Sequence, residues 1–209
     1  MLDLLLAAQL AAGSYTYTAA RDGATVGTSQ VTVKATSSGV EIDETLSGML
    51  NGQQSSGSAT YILGADLSPV SYTANGSIGG DSIKDSAMVK GASANVASAG
   101  GAPQSIALAA PATRFVVIDL GAVAGFVPLA AQMTAWSNPD VMVLVPMYGL
   151  SINLDPPATT QTRPANVPSA DVVLSFGGHA PFTVWYDPAT FVPDEIDVPS
   201  QDITVTRKR

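Results

Sequence analysis

Between Arg114 and Pro146 the chain carries two continuous apolar runs, RFVVIDL and SNPDVMVLVP, separated by GAVAGFVPLAAQMTAW. Runs rich in β-branched residues without polar alternation are strands covered on both faces, so the rest of the chain must supply covering layers. In the middle segment Val123, Phe126, Val127, Ala130 and Met133 recur at spacings of three and four, which places them on one helical face. The stretch predicts strand, short helix, strand, acting as a lid or spine over which a curved sheet closes. Pro128 suits a first helical turn better than a helix interior, which puts the helix start near Phe126.

The remaining sequence is shorter in its runs and mostly of period two. Tyr15, Tyr17 and Ala19 alternate with threonines before Arg21, Asp22 and Gly23 turn the chain; Val31 and Val33 continue until Ser37, Ser38 and Gly39 turn it again. Val40, Ile42 and Leu46 share a face on which Glu44 also falls. A bulge or open edge that lets this acid reach water accounts for it, and a ligand-binding or catalytic role is the alternative. Asn51 to Ser58 reads as a polar loop, and Asn75 to Gly101 as small-residue edge strands with Ile83, Ala87 and Val89 as their best inward positions. Tyr148, Leu150, Ile152 and Leu154 alternate cleanly, and Ala158 to Ser169 is a Pro-containing polar loop. Val172–Phe176, Phe182–Tyr186, Val192–Val198 and Ile203–Thr206 read as a four-strand meander, since short turns between alternating strands make antiparallel neighbours.

The fold class expected is therefore mainly β: at least eight strands in a curved antiparallel meander, a half-open barrel, with one short helix inside 122–136 on its concave face. Residues 14–209 form a single β-rich domain, a size that suits one core. Residues 1–13 contain LDLLLAAQLAA, which is either a signal remnant lacking a basic n-region or a native helix that packs Leu2, Leu5, Leu6 and Leu10 on the sheet. The segment is too short to span a bilayer.

Charge and residue usage exclude several functions. Charged residues make up 12% of the chain, about half the usual share of roughly 25%, so small Ser, Thr, Ala and Gly residues cover the surface, as in exported proteins. A net charge of -8 repels phosphate backbones, and nucleic acid is not an expected partner. There is no Cys, which removes disulfides, thiol nucleophiles and a lipid-anchoring cysteine. His179 is the sole imidazole and sits in GGHAP, a hairpin tip, so its exposure to solvent is the expectation and any Ser/His/Asp scheme would have to run through it. No G-x-S-x-G elbow occurs. Asp194, Glu195 and Asp197 are the densest acids, but only the last two share a strand face, which suits an exposed surface better than a cation site. No catalytic residue, metal or cofactor is expected, and the chain is not expected to be an enzyme.

The Tyr-rich opening hairpin (Tyr15 to Gly27), FVVIDL followed by a helix ending in LAAQM, a strand ending in VP, and the closing VWYDPATFVPDEIDVPSQDITVTR resemble bacterial envelope proteins of unknown function. That resemblance implies an open β-barrel similar to the LolA and LolB lipoprotein carriers, and it supplies no functional residues. The chain is expected to be an exported or periplasmic binding module that holds a hydrophobic small molecule or lipid in the concavity of its sheet. Phe126, Met133, Val127 and Ala130 are the candidate ligand-binding residues, with Phe126 and Met133 as a gate. The alternative is a structural scaffold of the cell envelope whose interior is filled by its own side chains. Packing discriminates the two: a lined cavity of a few hundred Å3 favours the first.

Overall fold

The computed structural model describes residues 10–50, 52–91, 93–98, 101–107, 114–119, 122–136, 141–155, 157–178 and 181–209. Residues 1–9, and with them the choice between signal remnant and helix, lie outside the described residues, as does His179. Leu10 is described and joins the core.

Among the described residues fifteen strands and one α-helix form two nested layers. The outer layer is a twelve-stranded antiparallel sheet in the order β12-β13-β14-β15-β1-β2-β3-β4-β5-β6-β7-β8. Its members are β1 (Gly13–Arg21), β2 (Ala24–Thr36), β3 (Gly39–Leu50), β4 (Gln53–Gly64), β5 (Pro69–Ile78), β6 (Asp81–Lys90), β7 (Ser93–Ala97), β8 (Gln104–Ala107), β12 (Val172–Phe176), β13 (Phe182–Tyr186), β14 (Pro193–Val198) and β15 (Ile203–Lys208). The ends β8 and β12 do not pair with each other, so the sheet curls without closing. The inner layer holds β9 (Arg114–Val117), α1 (Leu129–Trp136), β10 (Val141–Val145) and β11 (Leu150–Leu154). Within it β9 and β10 run parallel, which the intervening helix makes possible, while β11 returns antiparallel.

Alternation decides which side chains enter the shared core. Tyr17, Val31, Val33, Val40, Ile42, Ala59, Tyr61 and Tyr72 point inward from β1 to β5 and are all buried. The apolar run of β10 is buried over Val141 to Leu144, as the absence of polar alternation requires. Sharp coiling of the outer sheet needs strands to approach where no side chain intervenes. Gly27 and Gly48 face each other across β2 and β3, and a Cβ on Gly48 would stand 2.4 Å from the Val26 carbonyl oxygen.

Two expectations require correction. Asn51 to Ser58 is not a loop: β4 begins at Gln53, paired in register with β3 from Leu50 back to Gly39. Its Gln, Ser and Gly residues carry no hydrophobic contrast, so the pairing is invisible to a periodicity argument. The helix begins at Leu129 and not near Phe126. Residues 124–128 form successive turns, with Phe126 N–H donating to the Val123 carbonyl at 2.9 Å and the first regular helical bond reaching the Pro128 carbonyl from Gln132 N–H. Gly125 permits this tight path, since a Cβ there would lie 2.3 Å from the Val117 carbonyl oxygen.

The 158–171 segment straps the outer face of the sheet. Val167 packs with Val173 and Trp185 in a small cluster of its own, and the Arg163 guanidinium sits 4.7 Å from the centroid of the Trp185 ring. This accounts for the outward-facing Trp185. No helix among the described residues is long and apolar enough to cross a membrane.

Candidate functional site

A layer nested inside a curled sheet brings its own difficulty, because turns buried in an apolar interior still carry N–H groups that need acceptors. Glu44 answers it at the turn before α1. Its carboxylate accepts Val123 N–H at 3.0 Å, Ala124 N–H at 2.9 Å and the Ser29 hydroxyl. The strand ladders of β3 run without a register shift past this residue on both sides, and the side chain is 1% exposed. Neither a bulge nor an open edge lets Glu44 reach water: the acid is a buried clamp. Burial pushes its carboxyl up from the ordinary glutamate range, and the three donors pull it back.

Three further polar side chains join the layers. The Tyr61 hydroxyl accepts Val117 N–H at 3.0 Å, Gln132 Nε2 donates to the Leu67 carbonyl at 2.8 Å, and Trp136 Nε1 donates to the Asp66 carbonyl at 2.9 Å. The last two anchor α1 on the β4–β5 turn, which fixes the helix at that end of the curled sheet. Gln132 is fully buried although its amide gave no sequence signal; only its place within an apolar helix marks it.

The opposite end is open inside. A cavity of about 480 Å3 runs between the layers toward the β1–β2, β3–β4 and β5–β6 turns. Its lining is mainly apolar, with Phe126, Ile83, Val143, Ile152, Phe182 and Ile196 among the larger side chains. The floor is the turn of Ala122, Val123 and Phe126, and on the outer sheet small residues such as Ala59, Gly57, Ala74 and Gly76 leave the space unfilled.

The four residues expected to bind ligand are not brought together here. Phe126 lines the cavity and meets Phe182 edge to face at 5.3 Å between centroids. Val127 and Ala130 are fully buried in the core, and Met133 packs against that core from the helix without bordering the cavity. Sequence reasoning missed two acids that do line it, Asp85 and Asp119, which are 3% and 4% exposed. Asp119 Oδ1 accepts Met147 N–H at 3.3 Å. Burial, then the charges of Asp119, Glu44 and Asp85, push the nearby Tyr72 hydroxyl far above the ordinary phenol range.

The acids of β14 disperse instead of converging on a cation. Asp194 faces inward and pairs with Arg207 and Arg209, Glu195 faces outward and accepts from Asn166, and Asp197 accepts from the Thr204 hydroxyl. Among the described residues no group of three or more acids or imidazoles gathers.

Asp171 introduces a pH dependence. Burial first, then a hydrogen bond from its protonated carboxyl to Asp194, raise it from 3.8 up to about 6. Between those values the folded chain holds more protons than the unfolded one, so stability falls as pH climbs through the window. Glu44 and Glu195 are raised as well and add slope of the same sign. The thermal midpoint is therefore expected to be higher at pH 5 than at pH 7, and Asp171→Asn to flatten that difference. Calorimetry in matched ionic strength checks it; a midpoint that climbs from pH 5 to 7 refutes the assignment.

No protein-family model matches the sequence, and no curated protein does. Among solved structures the fold is similar to a beta-barrel-like protein of the domain of unknown function DUF1849 from Brucella abortus, with 8% identity, 93% of each chain covered and a TM-score of 0.53. A DUF1089 family protein from Pseudomonas aeruginosa is similar at 8% identity, over 83% of this chain and 90% of that one, with a TM-score of 0.48. At such identity the first likeness speaks to the fold: a β-barrel-like architecture shared with a domain of unknown function.

Proposed function

We propose that this chain is a non-catalytic binding module that holds a hydrophobic molecule, a lipid or acyl chain, between its two layers. One observation carries the reading: a mainly apolar cavity of about 480 Å3 that the side chains of the described residues leave unfilled. That volume falls within the roughly 300–1,000 Å3 of small-molecule sites. A scaffold domain has no need of it, since unfilled apolar space forfeits packing energy. An export or periplasmic location belongs to the same proposal and is supported by the low charge density and small-residue surface, while a carrier role of the LolA kind rests on the resemblance of the opening and closing motifs. Cell fractionation tests the location.

The binding test uses a fluorescent hydrophobic probe. The wild type is expected to bind it saturably at micromolar concentration or tighter. Ala74→Phe, which projects a ring into the cavity from β5, is expected to abolish that binding while leaving the thermal midpoint nearly unchanged, because the ring occupies existing space. No saturable binding by the wild type, or unaltered binding by Ala74→Phe, rules the reading out.

A further inference from the structure

Among the described residues the charged side chains that border the cavity are all acidic. None of the chain's nine Lys and Arg residues lines it, although every one of them is among the described residues. Strand alternation does the sorting. On β6, Ile83, Asp85 and Ala87 turn inward while Lys84 is exposed on the outer face. On β3, Glu44 turns inward while Glu41 and Asp43 hold Lys34 outside. Arg207 shares the inward register of Ile203 and Val205 but is held by Asp194, beyond the lining. The interior therefore presents Asp85 and Asp119 at the wall and Glu44 behind the floor, all buried, where their field is weakly screened.

A hydrophobic chain satisfies the apolar lining, and among the described residues these acids are the charged groups at the wall that its polar end can meet. Carboxylates accept hydrogen bonds and repel anions, so they favour an end that donates and penalise one that is negative. Resting on the binding-module reading, we propose that the cavity takes a single-chain amphiphile whose polar end is a hydrogen-bond-donating, non-anionic group, an amine ahead of an alcohol, and discriminates against carboxylate and phosphate heads. Asp85 and Asp119 are the specificity-determining residues.

Displacement of the neutral probe N-phenyl-1-naphthylamine tests this, with dodecylamine, dodecanol and dodecanoate as competitors below their micellar concentrations at pH 7.4 and 150 mM salt. Butylamine controls for attraction of any cation to the acidic surface and is expected not to displace the probe. Dodecylamine is expected to compete best, and dodecanoate about tenfold or more worse than dodecanol. The double variant Asp85→Asn, Asp119→Asn is expected to bring the three competitors together; if it fails to fold, the wild-type ranking decides. Dodecanoate competing as well as dodecanol, with the probe bound saturably, overturns the head-group assignment and leaves the binding module standing. Absence of saturable probe binding overturns both.

Discussion

Glu44→Ala is expected to lower the unfolding free energy by about 3–5 kcal/mol, the cost of breaking a buried charged hydrogen-bond network. Three donors lose their acceptor at once: Val123 N–H, Ala124 N–H and the Ser29 hydroxyl. Two of them are backbone groups of a turn that no strand or helix can satisfy, and each orphaned donor costs about 1–3 kcal/mol. The void left by the carboxylate adds to the loss. Glu44→Gln separates charge from hydrogen bonding. Its amide oxygen still accepts one N–H while its NH2 opposes the other, so a smaller loss of about 1–3 kcal/mol is expected. Urea unfolding of the three proteins measures both; a loss below about 1 kcal/mol for Glu44→Ala removes the clamp from the account.

The second large effect separates cavity wall from core. Phe126→Ala deletes a ring that borders the cavity and packs on Phe182, whereas Met133→Ala deletes a side chain that packs only on the core side of the helix. Both residues are half-buried, so each truncation is expected to cost about 2 kcal/mol of stability. Their effects on binding are expected to differ. Probe affinity falls about tenfold for Phe126→Ala and stays within about twofold for Met133→Ala. Equal losses of affinity in the two variants would show that the helix, and not the turn before it, borders the ligand.

The outer sheet was legible wherever alternation had contrast. Phe182, Val184 and Tyr186 against Thr183 and Trp185, or Val31 and Val33 against Gln30 and Lys34, state their own faces, and the four-strand closing meander stands as read. The stretch from Arg114 to Val145 was legible as strand, helix, strand because its continuous runs admit no solvent face. Its pairing into a separate inner sheet with Leu150–Leu154 was not, since the alternation of that last strand fits either layer. The site was harder to read. A cavity is defined by side chains that are missing, and Gly57, Ala74 and Gly76 look the same whether the space before them is filled or empty. Glu44 announced itself as an acid on an apolar face, but its partners lie about eighty residues further on and only the fold joins them. Asp85 sits in a weakly alternating strand and Asp119 at the end of an apolar run, where an acid reads as a strand stop.

Every ladder of the long sheet joins strands consecutive in the chain except one, the pairing of β1 with β15. Hairpins of that kind close short loops and can form quickly and independently. The β1–β15 seam closes a loop of another order: Tyr17 pairs with Arg207, and beside that pair its hydroxyl donates to the Pro193 carbonyl of β14 across 176 residues of sequence. Such a closure loses more chain entropy than any hairpin and recovers it only when the inner layer is already in place. The seam is therefore expected to form late in folding. The lifetime of the folded sheet is then expected to respond more to changes at this strand pair than to changes at any hairpin.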